Sequence, residues 1–466
     1  MPSILPPSGI FKAYDIRGVV DETLTEDGVR QIGQALGWQM TISGQARCVV
    51  GRDGRLSGPR LQAALTQGLT EAGVDVIDLG MVPTPVVYFA THLLGTGTGV
   101  AITGSHNPPQ YNGLKMMVGG RTLAGEDIQT LRAGLADGRV QAFLGQGLRV
   151  GAKSARDVRQ DYLGRILSDV SLARPLRIAV DAGNGVAGEL GPQLLRALGC
   201  EVTALFCEVD GHFPNHHPDP ADPHNLLDLQ RVIREEGLDL GLAFDGDGDR
   251  LGVVTASGEI VFPDRQLMLY ARDVLAHRPG AQIIYDVKCS RLLTQDIEHH
   301  GGQPVMWRTG HSLIKAKLKE TGAPLAGEMS GHIFFNDRWY GFDDGLYTAA
   351  RLLEILSRVA HPSALLESLP NARSTPELQI KTAEGENHRL VQVLAQTGAF
   401  PSAQSRITID GIRVEYADGF GLARPSNTTP VVVLRFEADT DAALLRIQGE
   451  FRASLLAVSP GLELPF

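Results

Sequence analysis

The 466-residue sequence predicts an α/β fold in which three similar mixed α/β domains and a C-terminal α+β domain surround a central cleft. Three observations carry this reading. A strand–turn–helix pattern recurs loosely three times. Each recurrence runs on to an apolar strand that ends in a chemically loaded loop. From about residue 371 the rhythm changes to strands alternating around turns. Length agrees, since at roughly 150 residues per domain the chain exceeds one ordinary core.

The first unit, expected over 1–153, contains "CVVGRDGRLSGPRLQAALTQGL", an apolar strand, a polar glycine-rich turn and a helix-period segment, then a second strand in "GVDVIDLG". The second, over 154–259, repeats the pattern in "RIAVDAGNGVAGELGPQLLRALG" and "GCEVTALF"; the third, over 260–370, in "QIIYDVKCSRLLTQDIEHHG" and "GGQPVMW". Such alternation implies largely parallel sheets, with ligands gathering beyond the strand ends. The loops there are "TGSHNP" (103–108), "DGDGDR" (245–250) and "GEMSGH" (327–332). Around 364–378, proline, asparagine and serine in "ALLESLPNARSTPEL" mark a boundary. The fourth unit, 371–466, adds the loop "RPSNTTP" (424–430).

Composition narrows the function classes. Net charge is −10, without a polybasic block, which argues against nucleic acid and anionic membrane surfaces as partners. No run of about 18 apolar residues suggests a spanning helix, and the N-terminal stretch lacks the pattern of a secretory signal. Cys48, Cys200, Cys207 and Cys289 have no metal-ligand spacing, and Cys48 and Cys200, in apolar stretches, read as reduced structural thiols. A cytoplasmic protein is expected.

Asp245, Asp247 and Asp249 stand at alternate positions after the apolar run Leu242–Phe244, with Arg250 directly behind. Carboxylates this close repel one another unless a cation lies between them. Without Cys or His among them, Mg²⁺ or Ca²⁺ is favoured over zinc, and three protein oxygens leave the room for water or phosphate that Mg²⁺ prefers. An EF-hand fails, because its sixth and twelfth positions would hold Arg250 and Ala256. Ser105 sits in a turn stiffened by Pro108 and Pro109. No nucleophile-elbow pattern accompanies it, so phosphoryl chemistry fits better than acyl transfer. A phosphoserine carries a charge of about −1.5 to −2 and would complete the shell of the metal. Arg424 and the hydroxyl, amide and backbone donors after it suit an anion, in a turn before a strand. Glu328, Ser330 and His332 suit sugar hydroxyls.

"TGSHNP", "DGDGDR", "GEMSGH" and "RPSNTTP", in this order on a chain of this length, resemble the signature loops of the α-D-phosphohexomutases over nearly the whole sequence. "FKAYDIRGVV" with "GEMSGH" and "SNTTP" is most similar to the bacterial bifunctional phosphomannomutase/phosphoglucomutase branch. The resemblance implies a heart-shaped monomer of four domains that interconverts hexose 1-phosphates and 6-phosphates of mannose and glucose. Ser105 is then the phosphoserine, passing its phosphoryl group to the sugar phosphate and regaining one from a reoriented 1,6-bisphosphate. Asp245, Asp247 and Asp249 hold Mg²⁺ with Ser105, and glucose 1,6-bisphosphate is the activator. Arg250 lies beside the phosphoserine. Glu328, Met329, Ser330, Gly331 and His332 form the sugar loop. Arg424, Pro425, Ser426, Asn427, Thr428 and Thr429 hold the non-reacting phosphate, although Pro425 offers no N–H. Tyr14, Arg17, Lys288 and His311 match other substrate contacts.

The general acid and base are open among His106, Lys115, Lys288 and His332; a lysine base would need a lowered pKa. Three rivals remain: a phosphoglucosamine mutase, a Mg²⁺-dependent sugar phosphatase that uses the same aspartates, and a sugar-phosphate sensor that needs no Ser105. Reorientation of the intermediate calls for a fourth domain that moves about a hinge near 365–375.

Overall fold

The computed structural model describes residues 5–466 apart from Glu384 and Thr428. Three sheets share one plan. In the first, Asp75–Met81, Arg47–Arg52 and Gly99–Ile102 lie parallel in that order, and Tyr111–Val118 returns antiparallel beside the last. The second repeats it with Glu201–Leu205, Arg177–Asp181 and Leu240–Phe244, then antiparallel Leu251–Thr255. The third has Gln303–Trp307, Gln282–Asp286 and Leu325–Gly327, then antiparallel Ile333–Phe335. Every loaded loop therefore joins the third parallel strand to an antiparallel fourth. The expectation of largely parallel sheets needs this amendment, because a connection so short can only reverse the chain, whereas a parallel crossover takes a dozen residues or more.

Burial explains the apolar runs. Leu240–Phe244 is buried at all five positions, as in a strand covered on both faces. Some helices start where a side chain satisfies a free N–H group: Thr25 accepts from Gly28 N, Ser290 from Leu292 N and Asp344 from Tyr347 N. The fourth sheet is built from Arg373–Ser374, Leu378–Lys381, Ser405–Ile407, Ile412–Tyr416, Gly419–Pro425 and Val431–Ala438, and helices Glu386–Thr397 and Asp441–Val458 pack on it.

Two expected boundaries fall slightly early. Strand Lys153–Ala155 pairs with the first sheet, and Ile260–Val261 with the second. Edge strands this short carry no periodic signal for a sequence reading to use.

The cores divide the molecule differently from the sheets. One continuous core runs from helix Thr84–Leu93 of the first domain through the second and third domains as far as Leu369. The first domain has a further core of its own. The fourth domain has a separate core, and a small apolar cluster, Val287 with Phe420 and Leu422, lies between it and the third.

Candidate active site

Ser105 lies in the loop after Gly99–Ile102, 1% exposed, with φ +50°. Its loop is built from behind. Arg55, also 1% exposed, donates from Nη2 to the carbonyls of Ser105 (2.8 Å) and Asn107 (2.6 Å), and from Nη1 to those of Pro108 (2.7 Å) and Tyr111 (3.0 Å). Asp53 accepts from Arg55 Nε at 3.2 Å and from Gly104 N at 3.1 Å. Gly104 is required here, since a Cβ would sit 2.4 Å from the Arg55 guanidinium carbon. From residue types alone "GRDGRLSGP" reads as a plain polar turn. Its usable signal was an Asp and an Arg directly after a buried strand, the arrangement that marked 245–250.

The metal loop meets this loop backbone to backbone. A Cβ on Gly246 would lie 2.4 Å from Ser105 O, so only glycine lets the two approach this closely. Ser105 Oγ donates to Asp245 Oδ2 at 3.2 Å, and Asp245 Oδ1 accepts from the N–H groups of Asp249 and Arg250. Thr84 Oγ1 donates to Asp247 Oδ2 at 2.6 Å. Lys115 Nζ donates to Asp247 Oδ2 at 2.9 Å and also to Asp249 Oδ2. Asp247 Oδ1 is buried without a hydrogen-bond partner, and Asp249 Oδ1 is buried with only the His332 ring near it. One oxygen of each of the three aspartates lies within 4.8 Å of the others. An all-oxygen, fully buried donor set with an orphaned carboxylate atom fits a hard divalent cation.

Charge is strongly structured here. Burial, then Asp247 and Asp249, push the Asp245 carboxyl well above its usual range. For Asp249 burial acts the same way, but Lys115 and then His332 outweigh it and hold it well below. Burial would discharge Lys115, yet Asp247 and Asp249 raise its pKa well above that of a free lysine. His106 Nδ1 lies 3.2 Å from Ser105 Oγ, and burial followed by Arg250, Arg17 and Lys115 holds the ring well below its ordinary pKa. Arg17 itself pairs with Asp15 at 2.5 Å.

The third loop faces the second across a short antiparallel bridge between Arg250 and His332. His332 Nδ1 lies 2.9 Å from Ser330 Oγ and 3.3 Å from Glu328 Oε2; Nε2 lies 3.3 Å from Asp249 Oδ1. Burial and Arg250 lower the His332 pKa, but Asp249 and Glu328 prevail and lift it to about 9. Gly331, at φ +102°, takes the turn. Gly310 N donates to Glu328 Oε1 at 2.5 Å, and Met329 N to Asp286 Oδ1 at 3.1 Å. His311 stacks on His332 with ring centroids 5.7 Å apart. Asp286, absent from the sequence reading, also accepts from Thr309 Oγ1 at 2.9 Å. As the last residue of its strand, its signal was the acidic end of the run "QIIYD".

The fourth contribution differs from expectation. Arg424 and Pro425 are not in a turn; they end strand Gly419–Pro425 and pair with Val433 and Val432. Ser426 N donates to Val431 O at 2.9 Å and Thr429 N to Ser426 Oγ at 3.2 Å, so neither N–H serves an anion in this arrangement. The first extends the hairpin ladder and the second closes the turn onto a side chain, which residue types alone do not register. Thr428 lies outside the described residues. Asn427 Nδ2 donates to Tyr14 Oη, which donates to Thr309 O at 2.8 Å, so Tyr14 joins the first, third and fourth domains. Arg424 Nε donates to Asp410 Oδ2 at 3.0 Å, and Lys288 Nζ pairs with Glu377 Oε1 at 2.6 Å. Burial would lower the Lys288 pKa, but Glu377 and Asp286 raise it.

Comparison with known proteins matches the chain to four successive domain families. These are phosphoglucomutase/phosphomannomutase alpha/beta/alpha domain I over residues 8–140, domain II over 160–258, domain III over 262–372 and the C-terminal domain over 377–454. The sequence is 54% identical over 467 residues to a phosphomannomutase/phosphoglucomutase of Pseudomonas putida, covering 100% of this chain and 99% of that one. It is 56% identical to a phosphoglucomutase of Neisseria gonorrhoeae, over 95% of this chain and 96% of that one. A crystal structure of a phosphoglucomutase/phosphomannomutase family protein from Burkholderia thailandensis superposes with a TM-score of 0.92 at 57% identity, covering 99% and 100% of the two chains.

Proposed function

The chain belongs to the phosphoglucomutase/phosphomannomutase family, and from that premise we propose that it interconverts the 1-phosphates and 6-phosphates of mannose and glucose through a phosphoserine. The enzyme is an isomerase that acts by phosphoryl transfer. The observation that carries the mechanism is the meeting of Ser105 Oγ with Asp245 of a buried acidic triad in which Asp247 Oδ1 has no hydrogen-bond partner.

Ser105, once phosphorylated, donates its phosphoryl group to the free hydroxyl of a bound hexose phosphate: the Ser105 Oγ–P bond breaks and a sugar O–P bond forms. Asp245, Asp247 and Asp249 would hold Mg²⁺, which would neutralise charge on the transferring group. Lys115, already bound to two of these carboxylates, adds a fixed positive charge in a site closed to solvent, where such charge is most effective. The hydroxyl loses its proton as it attacks, and Ser105 regains one. His332, with a pKa of about 9, is charged near neutral pH and suits the proton-returning role, and it alone among the four candidates belongs to the sugar loop and also faces the metal loop; His106, kept neutral beside Ser105 Oγ, suits the accepting one. Lys288, held charged by Glu377 and Asp286, suits a phosphate contact rather than a base. Glu328 and Ser330 read ring hydroxyls, while Arg424, Asn427 and Tyr14 form the anchor for the other phosphate. The bisphosphate then turns over in the cleft and returns its second phosphoryl group to Ser105.

Glucose 1,6-bisphosphate, which can restore a lost phosphoserine, is the fitting activator. The four loops come from one chain, which supports action as a monomer. The four free cysteines suit a reducing cytoplasm. Among the described residues no helix is long and apolar enough to cross a membrane.

A phosphorus NMR time course tests the reading, with Mg²⁺, a trace of glucose 1,6-bisphosphate, and mannose 1-phosphate or glucose 1-phosphate. Growth of the 6-phosphate signal from both sugars without inorganic phosphate is expected. Inorganic phosphate as the product would instead identify a phosphatase.

A further inference from the structure

The two cations of the phosphate anchor each already carry a carboxylate from the fourth domain, and the two carboxylates are held differently. Asp410 is fixed: its Oδ2 accepts from Arg424 Nε at 3.0 Å and from Thr309 N at 3.0 Å, and only 10% of its side chain is exposed. Glu377 makes one strong contact, from Oε1 to Lys288 Nζ at 2.6 Å, and its side chain keeps 36% exposure against 7% for Lys288. It lies just before strand Leu378–Lys381, on the segment that enters the fourth domain. Its partner is otherwise buried, so without some anion Lys288 would be a charge in a poorly solvated place, which is costly.

Resting on the reading of this pocket as the phosphate anchor, we infer that Glu377 is an exchangeable counter-anion: it pairs with Lys288 when no phosphate is bound, swings toward solvent when the phosphate of the sugar arrives, and returns when that phosphate leaves. The exchange trades one ion pair for another, with no covalent change. A substrate phosphate then gains only the difference between two pairings. Ground-state binding is weakened, and tight uniform binding is what would hinder turnover. The exchange also suits an intermediate that must let go of its anchor and turn round. Throughout that step Lys288 is never left unpaired.

Glu377 acts through Lys288 and is a positioning residue, so the test reads anion affinity as well as rate. Inorganic phosphate is titrated calorimetrically into the full chain, and the Michaelis parameters for glucose 1-phosphate are measured in parallel. Glu377→Gln keeps the shape and removes the charge. It is expected to tighten inorganic phosphate binding about fivefold, equivalent to ~1 kcal/mol, to lower KM, and not to raise kcat. Glu377→Asp restores the original values. In a Lys288→Met background, adding Glu377→Gln changes phosphate affinity little, because the pair is already broken. Unchanged or weaker phosphate binding in Glu377→Gln, or equal tightening in the Lys288→Met background, overturns the inference. Failure of the NMR experiment with tighter phosphate binding in Glu377→Gln would retain the counter-anion and reject the mutase reading; the reverse result would do the opposite.

Discussion

The guanidinium of Arg55 reaches four carbonyl oxygens between Ser105 and Tyr111, and without it the buried Ser105 carbonyl would lose the donor that holds it, while Pro108 O would keep only Tyr111 N. Such an orphan costs about 1–3 kcal/mol unless the loop relaxes, and relaxation would move Ser105 away from Asp245. Arg55→Met is therefore expected to lower kcat about 100-fold, the scale of a 1 Å misplacement, while KM changes little, because Arg55 touches none of the proposed sugar or phosphate contacts. Steady-state kinetics and a melting curve check this; a higher KM at constant kcat would refute the role. Ser105 and the aspartates were legible from the sequence because their chemistry is printed in consecutive residues. Arg55, Asp286, Glu377 and Asp410 were not. Each acts on a partner distant in the chain, and a distance in space leaves no trace in local spacing.

The repeated sheet plan explains why the loaded loops converge. Each lies where a third parallel strand hands over to an antiparallel fourth, so all three occupy the same end of equivalent sheets. The repeats and loop positions were readable from apolar periodicity. The antiparallel return strands were not, since a buried strand has the same apolar pattern whichever way it runs. In the second sheet the end of strand Arg177–Asp181 is tied to the 207–222 segment by a histidine. His216 Nε2 lies 3.0 Å from Asp181 Oδ2. Burial lowers the His216 pKa, but its hydrogen bond and charge contact with Asp181 outweigh this and raise it above 6.5. The folded state thus binds the proton more tightly than the unfolded chain. This contribution is complete below the unfolded pKa of about 6.5 and is lost as pH rises through the higher folded value. His216→Gln is expected to destabilise the protein more at pH 6 than at pH 9 in urea melts. An equal loss at both pH values would show that the pair contributes no charge.

At the scale of the molecule, the continuous core through the first three domains contrasts with the separate core of the fourth. Much of the junction is polar. Arg413, buried against Phe420, donates to the carbonyls of Val287 and Cys289 at 2.6 Å each, and Arg435 donates to Lys288 O and to Asp264 Oδ2. These bonds clasp the loop that presents Lys288. Arg413→Met is expected to loosen the fourth domain, seen as a larger radius of gyration in solution scattering and faster amide exchange confined to residues beyond 372. Exchange that accelerated equally in all four domains would contradict this division.

The same division has a consequence for how the protein is made. A ribosome releases the chain from its N-terminus, so everything belonging to the shared core, as far as Leu369, emerges before the phosphate anchor exists. Ser105, the aspartates and the sugar loop can be assembled while the last fifth of the chain is still being translated. The nascent protein would then acquire its reactive centre first and its grip on the substrate last. A chain cut short there would hold the chemistry and the sugar loop but lack the fourth domain's share of the phosphate anchor.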